Sequence, residues 1–166
     1  MDCTFKTSEG KFNYRVGVII RNENKILVAR NPNEKRVFWY SVGGRVHFGE
    51  TIEDAVLREV KEETGIACEM ERLVAIYENF FVNDENVPYH EVAFFFLVKN
   101  NSQLVALKNG TLTDQGPLGE YLEWIDLSDS EDKTIYPEFV KYIDFSKTDS
   151  VRHFVTRNGK TKEVTL

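Results

Sequence analysis

Short runs of β-branched and aromatic residues recur along the chain and are separated by polar stretches rich in asparagine and glycine. Runs with this composition are typical of β-strands. The first two runs are separated only by the polar segment 21–24 and are expected to pair as an antiparallel hairpin. The predicted strands are 12–20, 25–30, 38–44, 72–81, 90–99 and 121–127.

Two Asn-Gly pairs indicate further turns, because this dipeptide suits the tight turns of hairpins. Asn158-Gly159 lies within 152–164 and predicts a hairpin near the C-terminus. Asn109-Gly110 indicates a short hairpin inside the long polar connection 100–120.

One segment combines helix-like spacing of apolar residues with signals for both helix ends. Thr51 followed by Asp54 is an N-cap signature, and Gly65 supplies a stop, so residues 52–64 are predicted to be helical. A proline followed by the segment 138–145 predicts a second helix. Strands with two interspersed helices predict an α/β fold, a sandwich around a central mixed β-sheet.

Composition places the chain among ordinary globular proteins. Its 166 residues are 42% hydrophobic and 29% charged, which predicts a single domain over residues 1–166. The net charge of −6 and the pI near 5.2 argue against a general nucleic-acid or membrane-surface binder, since such proteins need a basic surface. An anionic ligand would therefore need local cations.

Cysteine usage and apolar run length bear on the compartment. Cys3 and Cys68 form neither a metal-ligand spacing nor a disulfide framework, which suits a reducing compartment, so a cytoplasmic location is expected. The longest apolar run, Val92–Val98, is far shorter than a membrane span, and the N-terminus lacks an apolar segment of signal-peptide length.

The predicted helix carries three carboxylates close together near its C-terminal end. At 100° per residue, Glu59 and Glu63 fall inside the apolar stripe that contains Val56 and Val60, and Glu62 falls at its edge. Like charges one turn apart repel each other, and ionised carboxylates that face the protein interior are costly unless they are paired or bind a metal.

A divalent cation would offset that cost. Arg58 can pair with Asp54 and Glu62, both one turn away, but one guanidinium cannot neutralise the whole group. Carboxylate oxygens are ligands that Mg²⁺ prefers, with Mn²⁺ as a second candidate. The alternative from residue statistics alone is a solvated charged helix face, because glutamate is usually exposed.

The spacing of these residues resembles a complete Nudix box. The matching positions are Gly44, Glu50, Arg58, Glu59, Val60, Glu62, Glu63, Gly65 and Ile66. So many fixed positions in a predicted loop-helix-loop context make the match specific. The chain is therefore identified as similar to the Nudix hydrolases, a MutT-like family whose members share an α/β/α sandwich.

The resemblance implies a divalent-metal-dependent pyrophosphohydrolase that cleaves a nucleoside diphosphate linked to another group X. Carried over by position, Glu59, Glu62 and Glu63 are expected to be metal ligands, with the carbonyl of Gly43 as a further ligand. Arg58 and Glu50 match positions that orient the carboxylates. Val42 stands where the family often has proline.

Two regions offer a candidate for the residue that accepts the proton from the attacking water: the motif and a later loop. Within the family the base is not always in the box, so Glu59, Glu63 or a downstream glutamate are candidates. Glu120 is the downstream candidate because it lies just before a predicted strand and follows a Gly/Pro-rich loop. An exposed loop glutamate is the alternative interpretation of that residue.

Aromatic and basic residues outside the motif are candidates for substrate contacts. Arginines on or beside the first strands suit a pyrophosphate, although each alone is more often a surface residue. Phe80, Phe81 and Tyr89 are favoured over 38–40 as rim residues that could stack on a base, with core packing as the alternative.

The expected partner is a small nucleotide-derived substrate such as ADP-ribose, a nucleotide sugar or a nucleoside triphosphate, with no nucleic acid and no membrane. A homodimer is a possible assembly on the resemblance alone. Two other functions are weighed: a catalytically silent nucleotide-sensing module of the same fold, and an isomerase that acts on a diphosphate ester.

Overall fold

The computed structural model describes residues 1–113, 119–147 and 150–165. These residues form twelve strands and two α-helices, α1 (Ile52–Thr64) and α2 (Ser102–Val105). The strands are β1 (Thr4–Lys6), β2 (Lys11–Ile19), β3 (Arg21–Asn22), β4 (Lys25–Arg30), β5 (Trp39–Arg45), β6 (Met70–Val82), β7 (Pro88–Val98), β8 (Thr111–Leu112), β9 (Tyr121–Asp126), β10 (Ile135–Tyr136), β11 (Arg152–Arg157) and β12 (Lys160–Val164).

The strands form a mixed sheet in the order β12-β11-β6-β7-β2-β5-β4-β9-β8, with β1, β3 and β10 paired beside β2, β4 and β5. β7 runs parallel to β2, and β11 runs parallel to β6, whereas β5 is antiparallel to both β2 and β4. The predicted α/β sandwich with a central mixed sheet is therefore confirmed.

The core lies on both faces of this sheet. Neighbouring residues of one strand enter different apolar clusters, as Val18 and Ile19 of β2 do, because side chains alternate across a strand. α1 and Leu104 of α2 cover one face. Phe139 and Phe145 cover the other face. Every described helix is too short and too polar to span a lipid bilayer.

The predicted hairpin between the first two long strands is wrong in its extent. Only the two residues of β3 pair with β4, while β2 lies between β7 and β5. β2 takes this central place because most of its residues are buried and need a neighbouring strand on each side.

The predicted second helix is also wrong. The segment Glu138–Lys141 is a single 3-10 turn, and Phe139 and Val140 are both about 2% exposed. Both pack in the same cluster as Phe145, so the packing of this segment outweighs its local helix signals.

The two Asn-Gly predictions have different outcomes. The hairpin at 158–159 is confirmed, because β11 and β12 pair across Asn158 and Gly159, both with positive φ. The one at 109–110 is wrong, since β8 pairs with β9 rather than with an upstream strand. Part of that connection, 114–118, lies outside the described residues.

Candidate active site

Helix α1 is fixed at both ends by the predicted residues. The side chain of Thr51 accepts a hydrogen bond from the Asp54 N–H, and Gly65 adopts a left-handed conformation with φ 74°. Glycine is favoured there because it has no Cβ to clash. These two residues set which face of the helix meets strand β5.

The inner face of α1 brings two carboxylates against the backbone of β5. Glu59 and Glu63 are each 5% exposed. The Gly43 N–H donates to Glu63 Oε1 at 3.1 Å. A Cβ at Gly44 would lie 2.3 Å from Glu59 Oε1, so only glycine leaves room for that carboxylate. The two glycines therefore allow the carboxylates to approach the backbone closely.

Arg58 lies at the centre of a hydrogen-bond network on the outer side of these carboxylates. Its Nε and Nη2 donate to the two oxygens of Glu50 at 2.8 and 2.9 Å, and Nη2 also donates to the Arg45 carbonyl at 2.9 Å. Its Nη1 donates to Glu59 at 2.7 Å and to Glu62 at 3.1 Å. The guanidinium thus links the loop before α1 to two of the candidate ligands.

This network makes Glu50 a stable anion. Hydrogen bonds from Arg58 lower the pKa of Glu50 to about 2, with a further contribution from the His47 N–H, which donates at 2.8 Å. The same pairing raises the pKa of Arg58 above its usual value. Glu50 therefore acts through Arg58 and does not line the cavity.

The inner carboxylates are in the opposite electrostatic situation. Burial raises the pKa of Glu63 to about 8, and the nearby charges of Glu59 and Glu120 add to that rise. Burial also raises the pKa of Glu59, against the hydrogen bond from Arg58. Within the described part of the chain, the buried Oε2 of Glu63 has no hydrogen-bond partner.

A cavity of about 450 Å³ opens in front of these groups. Glu120 reaches it from the start of β9, and Tyr40 lines it from β5. Burial raises the pKa of Tyr40 above its usual value, and the neighbouring charge of Glu120 contributes. The lining residues are Asp2, Arg15, Tyr40, Gly43, Gly44, Arg45, His47, Arg58, Glu59, Glu62, Glu63 and Glu120.

The donor set fits a hard divalent cation, although the ligands are not yet gathered around one point. Among the described residues, no three His, Cys, Asp or Glu side chains are arranged to hold a metal ion. The Nη1 of Arg58 donates to oxygens of Glu59 and Glu62. The orphaned Glu63 Oε2 and the oxygen-only chemistry are what Mg²⁺ or Mn²⁺ would satisfy.

Most of the residues named from sequence lie together. Gly43, Arg58, Glu59, Glu62, Glu63 and Glu120 all line the cavity. The aromatic residues favoured for the rim do not line the cavity. The ring centroids of Phe81 and Tyr89 lie 4.9 Å apart, and those of Phe80 and His90 lie 4.2 Å apart, so these rings stack on neighbouring strands.

Part of the cavity wall was not predicted from the sequence. Asp2 forms an isolated bridge with His47, and its Oδ2 accepts from Arg45 at 3.0 Å, which brings the N-terminus to the cavity. No local signal marks this contact, because the partners are more than 40 positions apart. The sequence marks Tyr40 only as one member of the aromatic run 38–40.

The chain was compared with known proteins. A family model described as the NUDIX domain matches residues 11–144. The ADP-ribose pyrophosphatase of Methanocaldococcus jannaschii is 35% identical over 81 residues, which are 48% of this chain and 46% of that protein. The NAD-capped RNA hydrolase NudC of Vibrio atlanticus is 51% identical over 49 residues, 30% of this chain and 18% of that protein. The chain thus aligns with less than half the length of these two relatives.

Solved structures agree on the fold. The MutT protein from Bacillus halodurans superposes with a TM-score of 0.58 at 20% identity, covering 91% of this chain and 97% of that chain. At this identity the likeness concerns the architecture.

Proposed function

Because the chain belongs to the Nudix hydrolase family, we propose that it is a divalent-cation-dependent pyrophosphohydrolase acting on a small nucleotide derivative. Its reaction would be attack of water on a phosphorus of the diphosphate, which separates a nucleotide from the group X. The observation that carries the proposal is the inner face of α1: two carboxylates, each 5% exposed, face a cavity and one has a buried oxygen without a partner.

In this proposal the inner carboxylates hold the cation. Glu59 and Glu63, with Glu62 and the Gly43 carbonyl, would supply the ligands. When bound, Mg²⁺ or Mn²⁺ would neutralise phosphate charge and activate water. Buried and unpaired carboxylates favour such a ligand because the cation removes the cost of their burial.

Arg58 and Glu50 would position the ligands rather than touch the substrate. The two hydrogen bonds between them fix the guanidinium, which in turn holds Glu59 and Glu62. Cation binding would require Glu59 to share its oxygens between Arg58 and the ion. A fixed guanidinium keeps the ligand oxygens close to their working positions.

Glu120 would accept the proton from the attacking water. It lines the cavity together with the inner carboxylates, and its charge is close enough to raise the pKa of Glu63. With Glu59 and Glu63 engaged as ligands, Glu120 is the remaining candidate base from the sequence.

The cavity supports a compact anionic substrate. It is lined by Arg15 and Arg45 as well as by carboxylates, so phosphates would meet both cation ligands and guanidinium groups. Similarity to relatives named as an ADP-ribose pyrophosphatase and an NAD-capped RNA hydrolase supports a nucleotide-derived substrate. The net charge of −6 supports a small substrate over a long RNA.

The test is Mg²⁺-dependent hydrolysis of a panel: ADP-ribose, a nucleotide sugar, NADH, a dinucleoside polyphosphate and an oxidised nucleoside triphosphate. Glu63→Gln is measured beside the wild type. Turnover of one compound that requires the metal and is lost in the variant would support the proposal. Binding of these compounds without turnover would favour the sensing module, and rearrangement without hydrolysis would favour the isomerase.

We also propose the domain count, the assembly and the location of the chain. The chain would act as one domain, since its described strands share one sheet. A homodimer and a cytoplasmic location are proposed on the family resemblance and on the two free cysteines.

A further inference from the structure

The three arginines that line the cavity differ in how fully they are engaged. Arg58 donates to Glu50, Glu59, Glu62 and a carbonyl. Arg45 donates to Asp2 at 3.0 Å. Arg15 has a single acceptor among the described residues, an oxygen of Glu91 at 3.5 Å, and its side chain is 37% exposed.

Glu91 is held more firmly than Arg15. It lies on β7 directly opposite Asn13 of β2, and its side chain is 13% exposed. Asn13 is 1% exposed, and its Nδ2 donates to Glu91 Oε1 at 2.7 Å. Thr4 Oγ1 donates to the Asn13 Oδ1 at 2.8 Å, so three strands fix the carboxylate that Arg15 contacts.

A second set of carboxylates also attracts Arg15. Glu59 and Glu63 line the same cavity, and the positive charge of Arg15 acts on both of them, in the direction opposite to burial. A guanidinium that moved onto these two carboxylates would compete with a cation for their oxygens. Arg58 already makes such a contact with Glu59.

We propose that Glu91 is a positioning residue that holds Arg15 away from Glu59 and Glu63, so that its guanidinium receives a phosphate of the substrate. The inference rests on the proposed function for the identity of the anion. Arg15 then has donors directed to the cavity, and its charge-assisted hydrogen bonds to a phosphate are among the stronger ones in proteins. Glu91 acts through Arg15 and does not touch the substrate.

The first measurement is Mn²⁺ binding to the substrate-free protein, by calorimetry and by the electron paramagnetic resonance signal of the free ion. Glu91→Gln keeps the oxygen that accepts from Asn13 but removes the charge that holds Arg15. We expect the Mn²⁺ dissociation constant to rise by about three- to tenfold, the size of coupling that adjacent charged groups show. Arg15→Gln should instead tighten Mn²⁺ binding, because it removes a competing cation.

The double variant decides whether Glu91 acts through Arg15. With Arg15 also replaced by glutamine, nothing is left to move onto the carboxylates, so Mn²⁺ binding should return to the level of Arg15→Gln. A purely structural role for Glu91 predicts independent effects, so the double variant should bind Mn²⁺ more weakly than Arg15→Gln by the same factor that separates Glu91→Gln from the wild type. That result, or unchanged Mn²⁺ binding in Glu91→Gln, would overturn the proposal.

The second measurement is steady-state kinetics with whichever panel compound is hydrolysed. Arg15→Gln should raise KM by about 10- to 100-fold with a smaller change in kcat, since a hydrogen bond to a charged group is lost. Arg15→Lys should restore part of the loss. An unchanged KM in Arg15→Gln would overturn the phosphate contact.

Two matched variants serve as controls outside the cavity. Glu78→Gln removes a partly buried strand carboxylate that contacts His153. Arg21→Gln removes an arginine that lies over the Phe145 ring. Both should leave Mn²⁺ binding and KM unchanged. If the wild type binds Mn²⁺ but hydrolyses no compound, the proposed function fails, while the Mn²⁺ data still decide whether Glu91 restrains Arg15.

Discussion

Two groups of carboxylates around α1 differ sharply in their electrostatic environment, although one short motif supplies both. The stabilising group is represented by Glu50, and the inner carboxylates by Glu63. Glu50 is held by two hydrogen bonds from Arg58, and its pKa falls to about 2. Glu63 is buried with no cation in contact among the described residues, and its pKa rises to about 8. The first group stabilises the folded chain at neutral pH, whereas the second makes it less stable.

The difference indicates which residues build the site and which are available for ligands. Carboxylates whose hydrogen bonds are all formed fix the geometry of the site, because moving them would leave Arg58 without its acceptors. The inner carboxylates have oxygen atoms left over and face the cavity. Glu59 connects the groups, since it accepts from Arg58 while burial raises its pKa.

Glu63→Gln is expected to have the largest effect. Activity should fall at least about 100-fold, because a charged ligand is lost from the cation that would neutralise the reacting phosphates. Stability without metal should rise, since glutamine avoids burying an ionised group. The pKa of Glu63 rises from 4.5 to about 8, so wild type loses stability as pH increases through that interval. Thermal unfolding in a chelator, from about pH 5 to about pH 9, measures the effect.

The control for this variant is Glu53→Gln on the exposed face of the same helix. It should change neither activity nor the pH dependence of unfolding. A Glu63→Gln protein that is less stable than wild type at high pH would show that Glu63 belongs to the stabilising group.

Arg58→Met is expected to have the next largest effect, this time on the stabilising group. It removes the cation from Glu50 and Glu59, whose side chains are 14% and 7% exposed. Breaking a largely buried pair leaves an uncompensated charge and should cost about 3 kcal/mol of unfolding free energy. Urea unfolding at neutral pH measures the loss.

A surface ion pair provides the contrast for Arg58→Met. Arg152 pairs with Glu163, which is 39% exposed, so Arg152→Met should cost less than about 1 kcal/mol. Equal losses in the two variants would mean that burial does not distinguish the network around α1 from an ordinary surface pair.

Glu50→Gln is expected to cost about 1–2 kcal/mol at neutral pH, after allowance for partial solvent screening. The pKa of Glu50 lies below its usual 4.5, so its contribution is fully present above about pH 4.5 and is lost as pH falls toward about 2. The wild-type advantage should therefore shrink on acidification. Unfolding curves at about pH 7 and about pH 3 give the difference, and a gap that stays constant would contradict the pairing with Arg58.

Helix α1 and the burial of its inner carboxylates were largely predictable from sequence because their signals are local. Thr51 and Gly65 gave the helix ends, and the residue spacing placed Glu59 and Glu63 on the buried side. Both features depend on residues within a few turns of each other. The structure confirms α1 at Ile52–Thr64 and the burial of both glutamates.

Contacts between distant parts of the chain could not be predicted in the same way. Arg15 and Glu91 are 76 positions apart, and their contact depends on β2 lying beside β7. The chain around Phe139 forms a 3-10 turn in which two neighbouring apolar residues pack against distant parts of the chain in one cluster. Neither outcome follows from residue spacing, since both depend on which elements become neighbours.

Thr51→Ala should have the smallest effect and tests whether the two groups respond independently to their shared helix. The Thr51 side chain accepts from the Asp54 N–H at 3.1 Å, and loss of an N-cap hydrogen bond costs about 1 kcal/mol. Thr51→Ser keeps the hydroxyl and should retain most of the stability. The hydrogen bonds of the Thr51 side chain are to Asp54 rather than to Glu50 or Glu63. Its loss should therefore lower the unfolding free energy by the same amount from about pH 6 to about pH 9. A loss that varied between about pH 6 and about pH 9 would mean that the N-cap influences the environment of Glu63, and that the two groups are not separable.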